Sequence, residues 1–243
     1  MKKQNKVLAI PDLHFPWVDK EALEKVYKAV RKEKPTHIVQ MGDLFDQYMF
    51  GRFDKNLNLI APENEIVTAR EMAVNFWKKV KQIAPRAKCY QLLGNHDIRL
   101  LKQCAKKLPE SYHFLKDAHN NLYDFKGVET MKSERDFLKI DDVYFVHGWQ
   151  AKHIRHFKGS VVRAHDHQAW VYQIGNQVNA YGGIVYKDAT TRIVRQGHTT
   201  FEISCGMLAD DSLLPFDYTN SKRTNWTPAI AVITKEEARL EIL

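Results

Sequence analysis

Cysteine is scarce in this sequence, with three in 243 residues. Cys89, Cys104 and Cys205 lie far apart, are odd in number and fall in no pair spacing. That argues against a disulfide framework or a thiolate zinc site and fits a reducing compartment. Long apolar runs are also missing. No stretch approaches the roughly 18 uninterrupted apolar residues of a membrane-spanning helix, and Met1-Lys2-Lys3-Gln4-Asn5-Lys6 leads only into a short apolar segment. The expectation is a soluble cytoplasmic chain without a signal peptide. Internal repeats, low-complexity tracts and Pro- or Ser-rich linkers are absent too, so one domain over 1–243 is expected rather than two tethered ones. The 44% hydrophobic content is enough for one substantial core.

What the sequence does have is positive charge and histidine. A formal net charge of +8 and a pI near 9.2 favour a polyanionic partner, although the lysines are scattered. The eleven histidines say more. Several fall beside Asp, Asn and Gly where a strand should end, a setting that suits metal ligation better than core packing.

The first half alternates strand and helix signals. Val7 to Ile10 reads as a strand, followed by a helix after Asp19 with Leu23, Val26 and Val30 inward and Pro35 as its stop. Ile38 to Met41 is a second strand, and Pro62 to Ile83 repeats apolar residues at helical spacing. Cys89 to Leu93 is a third strand, and Ile98 to Leu108 a helix. Consecutive βα units of this kind predict largely parallel strands. In the second half, short β-prone runs (137–140, 143–146, 161–162, 169–174, 184–186, 192–195 and 230–233) read as strands of a second sheet.

Four clusters directly follow apolar runs: Asp12-Leu13-His14, Gly42-Asp43-Leu44-Phe45-Asp46, Gly94-Asn95-His96-Asp97 and His147-Gly148. Ligands of layered α/β proteins bind at the carboxyl ends of the strands, so a common location follows from topology. Hydrolysis of a phosphoester at neutral pH needs a strong nucleophile and charge compensation, and two metal ions about 4 Å apart supply both. Imidazole, carboxylate and amide donors without thiolate suit Mn, Fe, Zn or Ni, with Mn placed first. Taken singly, Asp-x-His and Gly-Asp are ordinary turn chemistry; their joint order points to a site.

The ordered set resembles the calcineurin-like metallophosphoesterases, whose motifs run Asp-x-His, Gly-Asp-x-x-Asp, Gly-Asn-His-Asp/Glu, an isolated His, and Gly-His-x-His. The resemblance spans residue 7 to about residue 232 and, with Asn225-Trp226-Thr227, is greatest to compact phage and bacterial members. It implies a four-layer αββα sandwich of two mixed β-sheets flanked by helices. It also implies that Asp12 and His14 bind a first metal, Asp43 bridges both, and Asn95 and His147 bind the second. His96 would be the catalytic histidine, oriented by Asp46 or Asp97.

No Gly-His-x-His occurs, and two sequences compete for its place. Ala164-His165-Asp166-His167 keeps two imidazoles, and Gly197-His198-Thr199-Thr200 keeps the glycine. The first is favoured because side chains at i and i+2 of an extended segment share a face, so that two nitrogens can serve two ions, whereas a neutral hydroxyl is a poor substitute. Arg99, at the start of the helix after His96, is a phosphate-binding candidate, with Asn95 beside it. The loop from Tyr48 to Lys55 interleaves aromatic and basic residues and either stacks bases or covers the sheet edge. His113, His119, His153 and His156 read as surface or supporting residues, and Cys205 as a small core residue. The expected partner is a phosphate ester, with a nucleotide, DNA or RNA ahead of other phosphorylated molecules. The rival readings are a protein or small-molecule phosphatase, and a nucleic-acid- or partner-binding protein with a degraded metal site.

Overall fold

Alternation along short strands explains the layering. The computed structural model describes residues 4–52, 55, 61–148, 157, 159–174, 192–195, 200–213 and 226–243. Strands β1 (Val7–Ile10), β2 (His37–Gln40), β3 (Lys88–Gln91) and β4 (Val128–Thr130) pair in parallel in that order. Successive side chains of a strand face opposite ways. Leu8, Ile10 and Ile38 accordingly join one buried cluster with Val26, Val30, Ala73 and Phe76, while Val7, Ala9 and Val39 join a second with Phe145, Val162, Phe201 and Ile203. Burial on both faces is what a central parallel sheet requires.

The helices follow their sequence signals. In α1 (Lys20–Glu33), Asp19 Oδ1 accepts from the Glu21 and Ala22 amides at 2.7 and 3.1 Å, and Lys34 closes the helix in a left-handed conformation before Pro35. Helix α2 (Pro62–Ile83) begins on a proline, whose missing N–H costs nothing in the first turn. Both pack on the outer face of the first sheet. Helices α3 (Arg99–Lys107) and α4 (Tyr112–Leu122) pack on each other between β3 and β4.

The second sheet contains β5 (Leu138–Ile140), β6 (Val143–Phe145), β7 (Ser160–Arg163), β8 (Trp170–Ile174) and β10 (Thr200–Ser204), in the order β5-β6-β7-β10-β8. Strands β9 (Arg192–Val194), β11 (Ala229–Ile233) and β12 (Glu237–Ile242) return to the first sheet, whose order is β4-β3-β2-β1-β11-β12-β9. Both sheets are mixed, and the architecture is the expected sandwich with flanking helices; the helices among the described residues all precede β4.

One expectation needs correcting. Residues 192–195 and 230–233 belong to the first sheet, not the second, because β11 lies antiparallel beside β1 as a fully buried central strand. An all-apolar run does not reveal which sheet it joins. Helix α4 and strands β4 and β12 were not expected from the sequence; α4 buries only His119 and so offers no apolar stripe. Residues 184–186 lie outside the described residues.

Candidate metal centre

The site forms where the carboxyl ends of β1, β2, β3, β6 and β7 converge. Loops after β1 and β2 are laced together by backbone bonds: the His14 amide donates to the Asp43 carbonyl at 3.0 Å, Phe15 to Leu44 at 2.8 Å and Asp46 to Phe15 at 3.0 Å. Among the described residues seven non-glycine residues have positive φ, and four of them are His14 (46°), Asp43 (47°), His165 (78°) and His167 (61°). Each such conformation costs on the order of 1–3 kcal/mol and tends to persist where surrounding structure enforces a functional geometry.

Two glycines make the approach of the loops feasible. Gly42 has φ +99°, and a Cβ on Gly94 would lie 2.0 Å from Asp43 Oδ1 and 2.4 Å from the Asp43 amide nitrogen. Gly94→Ala must therefore push the Asn95 loop away from Asp43. A loss of about 1–3 kcal/mol in urea unfolding is expected, with weakened metal retention. Wild-type stability and metal content in this variant would refute the packing argument.

Two groups of ligand-type atoms share Asp43. In the first, Asp12, His14, Asp43 and His167 bring one ligand atom each to within 4.8 Å of the others; Asp43, His147 and His165 form the second. Asn95 joins the second, its Oδ1 lying 3.0 Å from His147 Nε2. His14 Nδ1 donates to Asp46 Oδ1 at 2.8 Å and His147 Nδ1 to the Met41 carbonyl at 3.0 Å. In the neutral rings each Nε2 is then left as a lone pair. His14 Nε2 faces His167 Nε2 at 3.4 Å, and His147 Nε2 faces Asp43 Oδ2 at 3.3 Å. Asp12 Oδ1, Asp43 Oδ2 and His165 Nδ1 are buried without a hydrogen-bond partner. Buried acceptors that converge without donors fit divalent cations, the donor set being oxygen and imidazole.

The charges tell the same story. Burial, reinforced by Asp43, pushes Asp12 up to about 7. Burial opposes protonation of His147, yet Asp43 and Asp12 raise it to about 9. His165 is pushed down to about 4 by burial and by His147. The raised values of Asp12 and His147 follow from carboxylates crowded in a buried site, and the lowered value of His165 from burial beside His147.

Beside the first group, Asp46 Oδ1 also accepts from His96 Nδ1 at 2.8 Å. Burial works against its ionisation, but His96 and His14 hold it far below the usual carboxylate range. Arg99 Nη2 donates to His96 Nε2 at 2.7 Å, and Nη1 to the Asp46 carbonyl at 3.1 Å. Burial depresses His96, partly offset by Asp43 and Asp46.

Asp97 does not orient His96 in this arrangement. Its carboxylate accepts from the amides of Gly94 (2.8 Å), Phe45 (2.9 Å) and Leu44 (3.3 Å), and from the Tyr123 hydroxyl (2.9 Å). It pins the Asn95 loop to the Asp43 loop. The two imidazoles at 165 and 167 are also not on one extended face: with positive φ at both, a turn directs His165 to the second group and His167 to the first. His198, His153 and His156 lie outside the described residues; His113 is exposed.

Other contributors carry no motif. His119 takes the supporting of its two readings: it is buried, and its Nε2 lies 2.6 Å from the Asp97 carbonyl, which also accepts from Gln47 Nε2 at 2.7 Å. Glu65 on α2 accepts from the Tyr48 and Met49 amides at 2.6 and 3.2 Å, fixing the turn after Asp46. Tyr48 is buried there and Phe50 half-buried, while Phe53 lies outside the described residues. Cys205 is a buried core residue.

The sequence profile described as calcineurin-like phosphoesterase matches residues 5–220. Among solved structures, a metallophosphoesterase from Sphaerobacter thermophilus aligns with TM-score 0.51 at 13% identity, covering 98% of this chain and 88% of that one. Yfce, a phosphoesterase from E. coli, aligns at TM-score 0.41 and 12% identity, covering 93% and 87%. Vacuolar protein sorting 29 from Cryptosporidium parvum gives 0.43 and 13%, covering 99% and 98%. No curated protein matches. The profile spans most of the chain, and its loops meet in two acceptor-rich groups: the protein belongs to the calcineurin-like phosphoesterases, hydrolases of phosphate esters that bind divalent metal.

Proposed function

We propose that the protein, acting as one domain over 1–243, hydrolyses phosphoesters of nucleotides or nucleic acid with two divalent ions, manganese first among the candidates. The carrying observation is the pair of ligand groups sharing Asp43. Asp12, His14, Asp43 and His167 are assigned to one ion, and Asp43, Asn95, His147 and His165 to the other. Ions held there supply a nucleophile at neutral pH and offset charge on the phosphoryl oxygens.

The chain's own groups do the rest. Asp46 fixes the His96 ring, and Arg99, at the first position of α3, presents bidentate donors to a phosphate. A bound phosphate competes for the guanidinium that otherwise rests on His96 Nε2; with Nδ1–H held by Asp46, that nitrogen can then take a proton from solvent and pass it to the leaving oxygen. The nucleotide assignment is supported by the net charge of +8 and by Arg99. The reading as a binding protein with a degraded site starts from the altered fifth motif, yet both its imidazoles lie in the ligand groups.

Turnover of nucleoside monophosphates, cyclic nucleotides and single- and double-stranded DNA with Mn tests the substrate class. Activity on p-nitrophenyl phosphate with none on this panel would remove the nucleotide assignment. For the ligands, His165→Ala and His167→Ala should each bind one ion fewer and lose about 10²-fold or more in turnover, removal of a direct ligand costing at least what loss of its supporting partner costs. A metal-replete, active His165→Ala beside a metal-depleted His198→Ala would move the site to Gly197-His198.

A further inference from the structure

The metal centre occupies the carboxyl ends of β1, β2 and β3, and the first sheet continues one strand further in the same direction. Strand β4 is parallel to β3, and the Met131 amide donates to the Gln91 carbonyl at 2.8 Å, so residues 131–136 leave the sheet at the same rim as the Asn95 loop. Between that loop and helices α3 and α4 lies a cavity of about 280 Å³. Lys102 from α3, Lys116 from α4 and Lys132 from the loop after β4 line it, with Glu134 as the one carboxylate in its wall. Lys102 and Glu134 lie 3.8 Å apart. With Lys102 paired to Glu134, Lys116 and Lys132 leave the lining residues with an excess of positive charge, which favours an anion.

The cavity floor joins it to the site. Leu93 and Ile98, which bracket Gly94-Asn95-His96-Asp97, both line it, as does His119, which holds the Asp97 carbonyl. On α3, Arg99 and Lys102 are three residues apart and so lie on one side of the helix. Arg99 reaches His96 while Lys102 reaches the cavity. A basic path thus runs from the metal centre along the rim.

We infer that this cavity is a second phosphate subsite, taking a further phosphate group of the substrate molecule whose ester lies at the metal centre. The inference deepens the nucleotide reading and rests on it for the kind of substrate. A nucleoside bisphosphate or an oligonucleotide carries phosphates separated by a sugar and would place one in each position.

The test is competitive inhibition of p-nitrophenyl phosphate hydrolysis by thymidine 3′,5′-bisphosphate and by inorganic phosphate, in the metal-loaded wild type and in the double variant Lys116→Gln/Lys132→Gln. Both lysines are exposed, so the variant should fold. The preference for bisphosphate over phosphate should fall about tenfold, the scale of two exposed charge contacts, and Lys116→Arg/Lys132→Arg should restore it. An unchanged preference, or an equal loss for both inhibitors, would overturn the subsite. Inhibition by free phosphate that is non-competitive and sensitive to these lysines would also overturn it, showing an effector site instead. Failure of the nucleotide reading is seen separately, as p-nitrophenyl phosphate turnover without turnover of any nucleotide, and the inhibitor comparison still decides the subsite.

Discussion

Asp43→Asn should lose metal from both positions and reduce turnover by about 10³-fold or more, several kcal/mol of charge stabilisation being at stake when both ions are disturbed. The side chain is buried and its two oxygens have different tasks. Oδ1 accepts from the His96 amide at 2.7 Å, and Oδ2 lies 3.3 Å from His147 Nε2 with no hydrogen-bond partner. Asparagine keeps the shape but replaces one oxygen by an NH₂ that cannot coordinate. Whichever way the amide turns, it either puts a donor against the His96 N–H or replaces Oδ2, the oxygen that would serve as ligand. Elemental analysis together with p-nitrophenyl phosphate turnover decides the matter: two ions retained with near-normal activity would end the assignment of Asp43 as the shared ligand.

How much of this was legible in the sequence depended on where the information resides. Asp12, His14, Asp43, Asn95, His96 and His147 stand out in the sequence because each follows an apolar run short enough to be one strand, and parallel βα topology brings such ends to one rim. The βα half of the fold was legible for the same reason. His165 and His167 do lie in the two ligand groups, but not in the local conformation that the sequence suggests. An extended segment was assumed, whereas left-handed conformations at both residues split the imidazoles between two groups. No sequence period signals that turn. Asp97 was misjudged because a carboxylate next to a histidine reads as its partner, while the fold turns it toward three backbone amides. Glu65 and Tyr123 were invisible, and the supporting role of His119 could not be told from a surface one, since each acts from a helix, or the turn after one, reaching the loops by a contact that only tertiary packing creates. The placement of β11 beside β1 escaped for a related reason: strand pairing across more than two hundred residues leaves no local trace.

His96→Ala is expected to keep both ions and lose about 10²- to 10⁴-fold in turnover, the range for removal of a general acid or base. The geometry separates this histidine from the ligands around it. Its Nδ1 is engaged by Asp46 Oδ1 at 2.8 Å, its Nε2 by Arg99 at 2.7 Å, and Nε2 stands 4.0 Å from Asp43 Oδ2. Although His14, Asp46 and His96 together also form a ligand-like group, Asp46 Oδ1 bonds both imidazoles at 2.8 Å, so protons already satisfy those atoms. A ring fixed through Nδ1 with Nε2 turned to the phosphate-binding guanidinium is placed to act on an oxygen that departs from phosphorus. The loss should consequently depend on the leaving group. An alkyl phosphate, whose leaving oxygen needs a proton, should suffer toward the upper end of the range, and p-nitrophenyl phosphate toward the lower. A uniform loss across a leaving-group series, accompanied by an ion missing in elemental analysis, would make His96 a metal ligand and overturn its role.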